Sequence, residues 1–155
     1  MMNSQSPEKL ETNSEPETVR PLVVIPVYNH SATLRNVVIG ALKVCNDVLV
    51  VDDGSRDAVA GTLKDLPVLV VRHPSNLGKG VAILTAAREA KRLGMSHIIT
   101  LDADGQHNPA DIAGFMPVIK RHPMAIVLGK RRFDKRSVPF ASRFGRGYSN
   151  FWLRV

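Results

Sequence analysis

The sequence predicts an α/β domain, a mostly parallel sheet flanked by helices. Along residues 21–130, apolar runs of strand length alternate with segments of helical periodicity, and the connections are short. The apolar residues are mainly Val, Ile, Leu and Ala, with aromatics at only 5%, which suits strands buried on both faces. Three of the strand-like runs also end in polar residues, at Tyr28 and Asn29, at Asp52 and Asp53, and at Asp102 and Asp104. Open sheets of this class bind ligands beyond the carboxyl ends of their strands.

The elements follow in order. "PLVVIPVYN" is a buried strand ending at Asn29. Ser31 is placed as the N-cap of a helix whose apolar residues Leu34, Val37, Val38, Ala41 and Leu42 recur at helical spacing. "DVLVVDDGS" is a second strand closed by a turn, residues 56–64 suit a short helix, and "PVLVVRH" is a third strand. Over residues 79–93, Ile83, Ala86, Ala87, Ala90 and Leu93 fall on one helical face, and Gly94 is the expected stop. "HIITLDAD" is a fourth strand. Asn108 then caps a helix with Pro109 at its first position, running to about Arg121 unless Pro117 ends it sooner. "MAIVLGK" is expected to be a fifth strand.

The 155 residues suit one globular domain. Residues 1–20 hold four Glu, two basic residues and little to bury, so a disordered leader is expected. No signal-like apolar segment precedes the domain, and no apolar run reaches the ~20 residues of a spanning helix. Cys45 excludes a disulfide framework and reads as a small buried hydrophobe of a reducing compartment. A cytoplasmic location is therefore expected. The formal charge of +7 lies wholly at the C-terminal end, where eight Lys or Arg from Lys130 onward face one acid, Asp134. Such a segment suits phosphates or anionic head groups, or serves as a solvated basic face.

"IITLDADGQHNPADI" is the chemically informative stretch. As a calcium loop starting at Asp102 it would need glycine sixth and a bidentate Glu twelfth, where His107 and Ala113 stand. A dinucleotide-binding reading fails because "PVYNHSAT" has no glycine-rich turn. A phosphorelay receiver would explain "VLVVDDGSRD", but an earlier strand precedes that acidic pair. The remaining readings are a solvated strand end and a cation site. On an extended backbone, positions 102 and 104 point to the same side, and Gly105 lets the chain turn. Mg²⁺ or Mn²⁺ takes one or two carboxylates and completes its shell with phosphate oxygens and water.

Taken together, "VIPVYNHSATL", "VLVVDDGSRD", "NLGKGVAILTAAREAKRLG" and "ITLDADGQHNPADI" resemble the family 2 glycosyltransferases of GT-A fold, particularly their polyprenol-phosphate sugar transferase branch. The resemblance covers residues 21–133 and implies a GT-A-type nucleotide-diphospho-sugar-binding domain. It implies that Pro26, Tyr28 and Asn29 on the first-strand rim contact the nucleotide, that Asp52 or Asp53 accepts a hydrogen bond from the base, and that Lys79 meets phosphate. It further implies that Asp102 and Asp104, with Ala103 between them, flank a Mg²⁺ or Mn²⁺ ion and the diphosphate, with Gln106 as a further contact. His30 departs from the acidic residue common after "YN" in related sequences, and His107 adjoins the acids. His73, His97 and His122 are expected to be ordinary element-end residues.

The implied activity is transfer of a sugar from a nucleotide-diphosphate donor to an acceptor, in this branch one carrying a lipid phosphate, with inversion. The alternative is a non-catalytic nucleotide-binding or receiver-like module. The catalytic base is expected beyond Val155, so that this chain is a donor-binding half and inactive alone. Residues 134–155, basic and aromatic, are read as the start of an acceptor half. As a helix they would align Phe140, Phe144, Tyr148, Phe151 and Trp152 for peripheral contact with an anionic membrane or for packing on a partner segment. No nucleic acid partner is expected.

Overall fold

The computed structural model describes residues 19–129. Two compact units divide the chain, residues 1–125 and 126–155. The fold described here is that of the first. Of the second, residues 126–129 are described and contain no helix or strand. The leader expected over residues 1–20, up to residue 18, and the segment 134–155 lie outside the described residues.

Strands β1 (Pro21–Val27), β2 (Val48–Asp52), β3 (Leu69–Arg72) and β4 (His97–Thr100) form a sheet of order β3-β2-β1-β4. Every pairing is parallel, with Val23 opposite Val48 and Ile99, and Asp52 opposite Arg72. The crossovers are helices α1 (Ser31–Leu42), α2 (Val59–Leu63) and α3 (Lys79–Arg92), and α4 (Ile112–Arg121) follows β4.

Strand alternation sends successive side chains to opposite faces, and here it builds two cores. Val23, Ile25, Val27, Val48 and Val50 pack with Leu34, Val37, Val38 and Ala41 of α1, with Val59 and Leu63 of α2, and with Ile112 and Ile119 of α4. Leu22, Val24, Leu49 and Val51 pack under Ala82, Ala86 and Ala90 of α3. All five residues of β2 are buried. At ~1.5–3 kcal/mol for each fully buried Val or Leu side chain, the β1–β2 centre dominates the stabilisation, whereas edge strand β3 leaves Leu69 and Val70 exposed.

Four expectations are corrected. Strand β4 stops at Thr100, so Asp102 and Asp104 stand beyond it, with Ala103 and Asp104 in a turn rather than in extended chain. The buried stripe of α3 is Ala82, Ala86 and Ala90, with Ile83 and Ala87 half-buried at its margin. Alanines let that helix lie close on the sheet, which a ridge of larger side chains would prevent. Ser31 is the first helical residue rather than the cap, and its N–H donates to Asp57 Oδ2 at 2.8 Å. Residues 124–129 of "MAIVLGK" form no strand. Pro123 instead begins a turn closed by Ala125 N–H donating to His122 O at 3.0 Å, and a strand without a paired neighbour has nowhere to place its backbone donors. Lys130 lies outside the described residues.

Candidate functional site

Parallel pairing puts the carboxyl ends of β1, β2 and β4 on one rim, and the N-terminus of α3 rises beside them. A cavity of about 420 Å³ opens there, lined by Pro26 at the end of β1, Tyr28 and His30 after it, Asp53 after β2, Asn76, Gly78 and Lys79 before and at the start of α3, and Asp102, Ala103 and Asp104 after β4. Seven of the sequence-predicted site residues therefore share it: Pro26, Tyr28, Asp53, Lys79, Asp102, Ala103 and Asp104.

The β2 corner is built around two buried, multiply hydrogen-bonded carboxylates. Asp52 is 1% exposed. Its Oδ1 accepts from Ser55 N–H at 2.8 Å and its Oδ2 from Arg72 Nη1 at 2.6 Å. Arg72 Nη2 also donates to Ser55 O at 2.7 Å, clamping the turn. Asp52 does not line the cavity; of the two acids offered for the base contact, Asp53 does. Asp53 Oδ1 accepts from Leu77 N–H at 2.9 Å and pairs with His73 Nδ1 at 2.7 Å, while Oδ2 accepts from Gly78 N–H at 2.8 Å. Burial pushes the Asp53 carboxyl up, and the bonds from His73, Leu77 and Gly78 outweigh it, leaving the group below its ordinary value. Gly54 makes this packing achievable. At φ 72, a Cβ there would lie 2.4 Å from the Ser75 carbonyl carbon and 2.7 Å from Asn76 N, so only glycine lets the two loops touch.

Asn29 joins the same corner. With φ 55 it occupies the left-handed region that Asn tolerates. Its N–H donates to Ser55 Oγ at 3.0 Å, and its Oδ1 accepts from Arg56 N–H at 2.8 Å. It braces the rim and does not line the cavity.

The β4 corner is open. Asp102 Oδ1 accepts from Lys79 Nζ at 2.6 Å, and Oδ2 lies 3.8 Å from His107 Nε2. The Lys79 and Asp102 side chains remain 59% and 35% exposed. Asp104 Oδ1 accepts from Gln106 N–H at 2.9 Å, which closes the turn through Gly105 at φ 75. Gln106 itself is exposed and outside the cavity lining. Ala103 is buried, and its carbonyl accepts from Thr33 Oγ1 at 2.6 Å, tying the turn to α1. The two acids converge on the cavity through this turn.

Among the described residues, no group of three or more His, Cys, Asp or Glu is placed to hold a metal ion. A dedicated protein cage for a cation is thus absent from them. Two carboxylates facing a cavity are nevertheless the donor set that Mg²⁺ or Mn²⁺ uses when phosphate oxygens and water complete its octahedron, so Asp102 and Asp104 fit a cation that arrives with a diphosphate.

His73 was missed by sequence reasoning, which took it for an ordinary strand-end residue. It is 7% exposed and bridges Asp53 and Thr85. Only the β2–β3 register, which continues Asp52 opposite Arg72 by one residue, could have placed it.

An all-parallel sheet with helices on both faces and an acidic, lysine-bearing cavity at its C-terminal rim is the architecture of a GT-A-like α/β domain. Residues 22–153 match the family described as Glycosyl transferase family 2, and the chain belongs to that family. Similar proteins include a UDP-N-acetylglucosamine--dolichyl-phosphate N-acetylglucosaminyltransferase of Methanococcus voltae, 32% identical over 70% of this chain and 51% of its own length. A polyprenol monophosphomannose synthase of Mycolicibacterium smegmatis is 34% identical over 68% of this chain and 44% of its own. An undecaprenyl-phosphate mannosyltransferase of Micrococcus luteus is 30% identical over 74% of this chain and 49% of its own. The chain spans about half the length of the curated relatives it matches. No helix among the described residues is long and apolar enough to cross a membrane.

Proposed function

We propose that this chain provides the donor-binding part of a glycosyltransferase that takes a sugar from a nucleoside diphosphate and delivers it to an acceptor carrying a polyprenol-type phosphate. The observation that carries this reading is the meeting of Asp53, Lys79, Asp102 and Asp104 in one cavity at the strand ends. Family membership favours it over a receiver-like or non-catalytic module.

In this reading Tyr28 and Pro26 flank the nucleoside, and Asp53 offers its remaining acceptor position on Oδ2 to a base N–H. Asp102 and Asp104 hold a Mg²⁺ or Mn²⁺ ion, which supplies Lewis-acid stabilisation of the departing diphosphate. Lys79, mounted at the start of α3 with glycine on either side, swings between Asp102 and a phosphate oxygen. Charge on the leaving group would thus be met by Lys79 together with the cation that Asp102 and Asp104 hold. The acceptor class follows from the names of the relatives, and inversion from the family resemblance. Peripheral contact with an anionic membrane accords with the basic segment after Lys130.

Calorimetric titration of UDP, GDP, CDP and ADP into the chain, with and without Mn²⁺, tests the reading. Metal-dependent binding that disappears in Asp104→Ala supports it. Binding indifferent to both metal and that substitution rejects it. For the acceptor side, flotation with vesicles containing anionic lipid at low salt is expected to carry the chain upward.

A further inference from the structure

We infer that His73 is a positioning residue for the nucleotide cavity: its Nδ1–H orients the Asp53 carboxylate and, with it, the Leu77–Gly78 turn that presents Lys79. This rests on the donor-binding reading above and extends it to a residue that does not line the cavity.

The chain's own topology brings the group in. Parallel pairing ends with Asp52 opposite Arg72, and His73 N–H donates to Asp52 O at 2.8 Å. The next residues of the two strands, Asp53 and His73, therefore stand side by side. Asp53 receives three donors, one from β3's end and two from the backbone of residues 77 and 78. Those three directions leave a single acceptor position on Oδ2 and fix where it points.

The proton on Nδ1 follows from its partner. An ionised carboxylate can only accept, so Nδ1 carries the proton. Nε2 pairs with the Thr85 hydroxyl at 2.9 Å, which can accept from it or donate to it. Thr85 sits on α3, whose first residue is Lys79. One imidazole thus links β2, β3, the loop before α3 and α3 itself. His73 is 7% exposed, so water does not compete for either bond while the ring is in place. A ring that only filled space would need neither nitrogen, and this difference is measurable.

The test compares substitutions that keep or lose one nitrogen each, by calorimetric titration of UDP, GDP, CDP and ADP with Mn²⁺ and by thermal unfolding of the same samples. In His73→Asn the side-chain amide nitrogen reaches nearly the Nδ1 position, and affinity is expected to stay within about 3-fold of the parent. His73→Gln reaches toward Thr85 instead and loses the bond to Asp53. Binding weakens by about 10-fold or more, the scale of a lost hydrogen bond to a charged group. Thr85→Val should weaken it by about 2- to 3-fold, as one neutral bond removed. Equal affinity in the parent and His73→Gln overturns the inference while leaving the donor-binding reading intact. So does a loss that tracks the melting temperature equally through His73→Asn and His73→Gln. If the parent binds none of these nucleotides, the donor-binding reading fails and takes this inference with it. Independently of any ligand, imidazole ¹⁵N shifts of His73 are expected to report a protonated Nδ1; a bare Nδ1 overturns the assignment.

Discussion

At the end of β2 the carboxylates of Asp52 and Asp53 are buried and held by several donors, whereas at the end of β4 those of Asp102 and Asp104 are half-buried and lightly held. Asp52 and Asp53 are 1% and 3% exposed and together receive five donors from Ser55, Arg72, His73, Leu77 and Gly78. Asp102 has one flexible lysine and a distant imidazole, and Asp104 has one backbone N–H of its own turn. The first corner is assembled during folding and arrives at the ligand already shaped. The second keeps its charge accessible, as the proposed role of holding a cation and releasing a lysine would require. In the proposed donor-binding role, preorganisation on the nucleoside side and exchangeability on the diphosphate side would thus be distributed between two strand ends of the same sheet.

If that contrast is right, substitutions at the β2 corner damage folding and those at the β4 corner damage binding. The largest effect is expected for Gly54→Val. A side chain at φ 72 is strained, and its Cβ meets the backbone of Ser75 and Asn76 at 2.4–2.7 Å. Strain plus overpacking should cost about 3 kcal/mol, seen as a lower urea midpoint. Asp52→Ala comes next. It strands the Ser55 N–H and unpairs Arg72, whose side chain is 53% exposed and can turn to water. About 2 kcal/mol is expected, less than for a fully buried pair. Asp102→Ala should shift the same midpoint by no more than ~0.5 kcal/mol, because an exposed ion pair contributes little, while metal-dependent nucleotide binding is lost. A stability loss at Asp102 equal to that at Asp52 would falsify the distinction between the corners.

How far the sequence disclosed this arrangement depends on whether the signal was local. The α1 stripe of Leu34, Val37, Val38 and Ala41 was legible because helical period and burial coincide there. The parallel class followed from alternating elements and from strands rich in Val and Ile. The core face of α3 was misjudged by one position, since Ala82 and Ile83 differ in size and only close packing against the sheet selects the smaller. "MAIVLGK" has strand composition, yet its first residues are taken by the turn after His122. The helix cap at Ser31 comes from Asp57, 26 residues away. His73 belongs with Asp53 only through strand register. The misses at α3, Ser31 and His73 are thus contacts decided by packing or register, which no window of neighbouring residues contains, whereas those at "MAIVLGK" and Asp104 are local turns that strand-like composition concealed.

The smallest expected effect is the response to acid, and it too divides by place. Asp53 and Asp57 have carboxyl groups below their ordinary value of 3.8, and Asp65 is lowered to about 2. For Asp57, the Ser31 hydroxyl and N–H are the leading causes. For Asp65 it is the Arg35 guanidinium, 2.6 Å away. A carboxyl depressed on folding contributes stability that is complete above its unfolded value and is lost as pH falls through its folded value. The thermal midpoint should therefore be insensitive to these groups near neutrality and decline below about pH 4. The Arg35–Asp65 pair is exposed on both sides, with side chains 39% and 56% accessible, so high salt should screen its share. Asp53 is buried and Asp57 acts through short hydrogen bonds, so their share should persist in salt. Asp57→Asn is accordingly expected to flatten the acid limb at both low and high salt, and Asp65→Asn only at low salt. If 1 M salt erased the whole acid limb, the decline would belong to surface charge and not to the rigid corner beside β2.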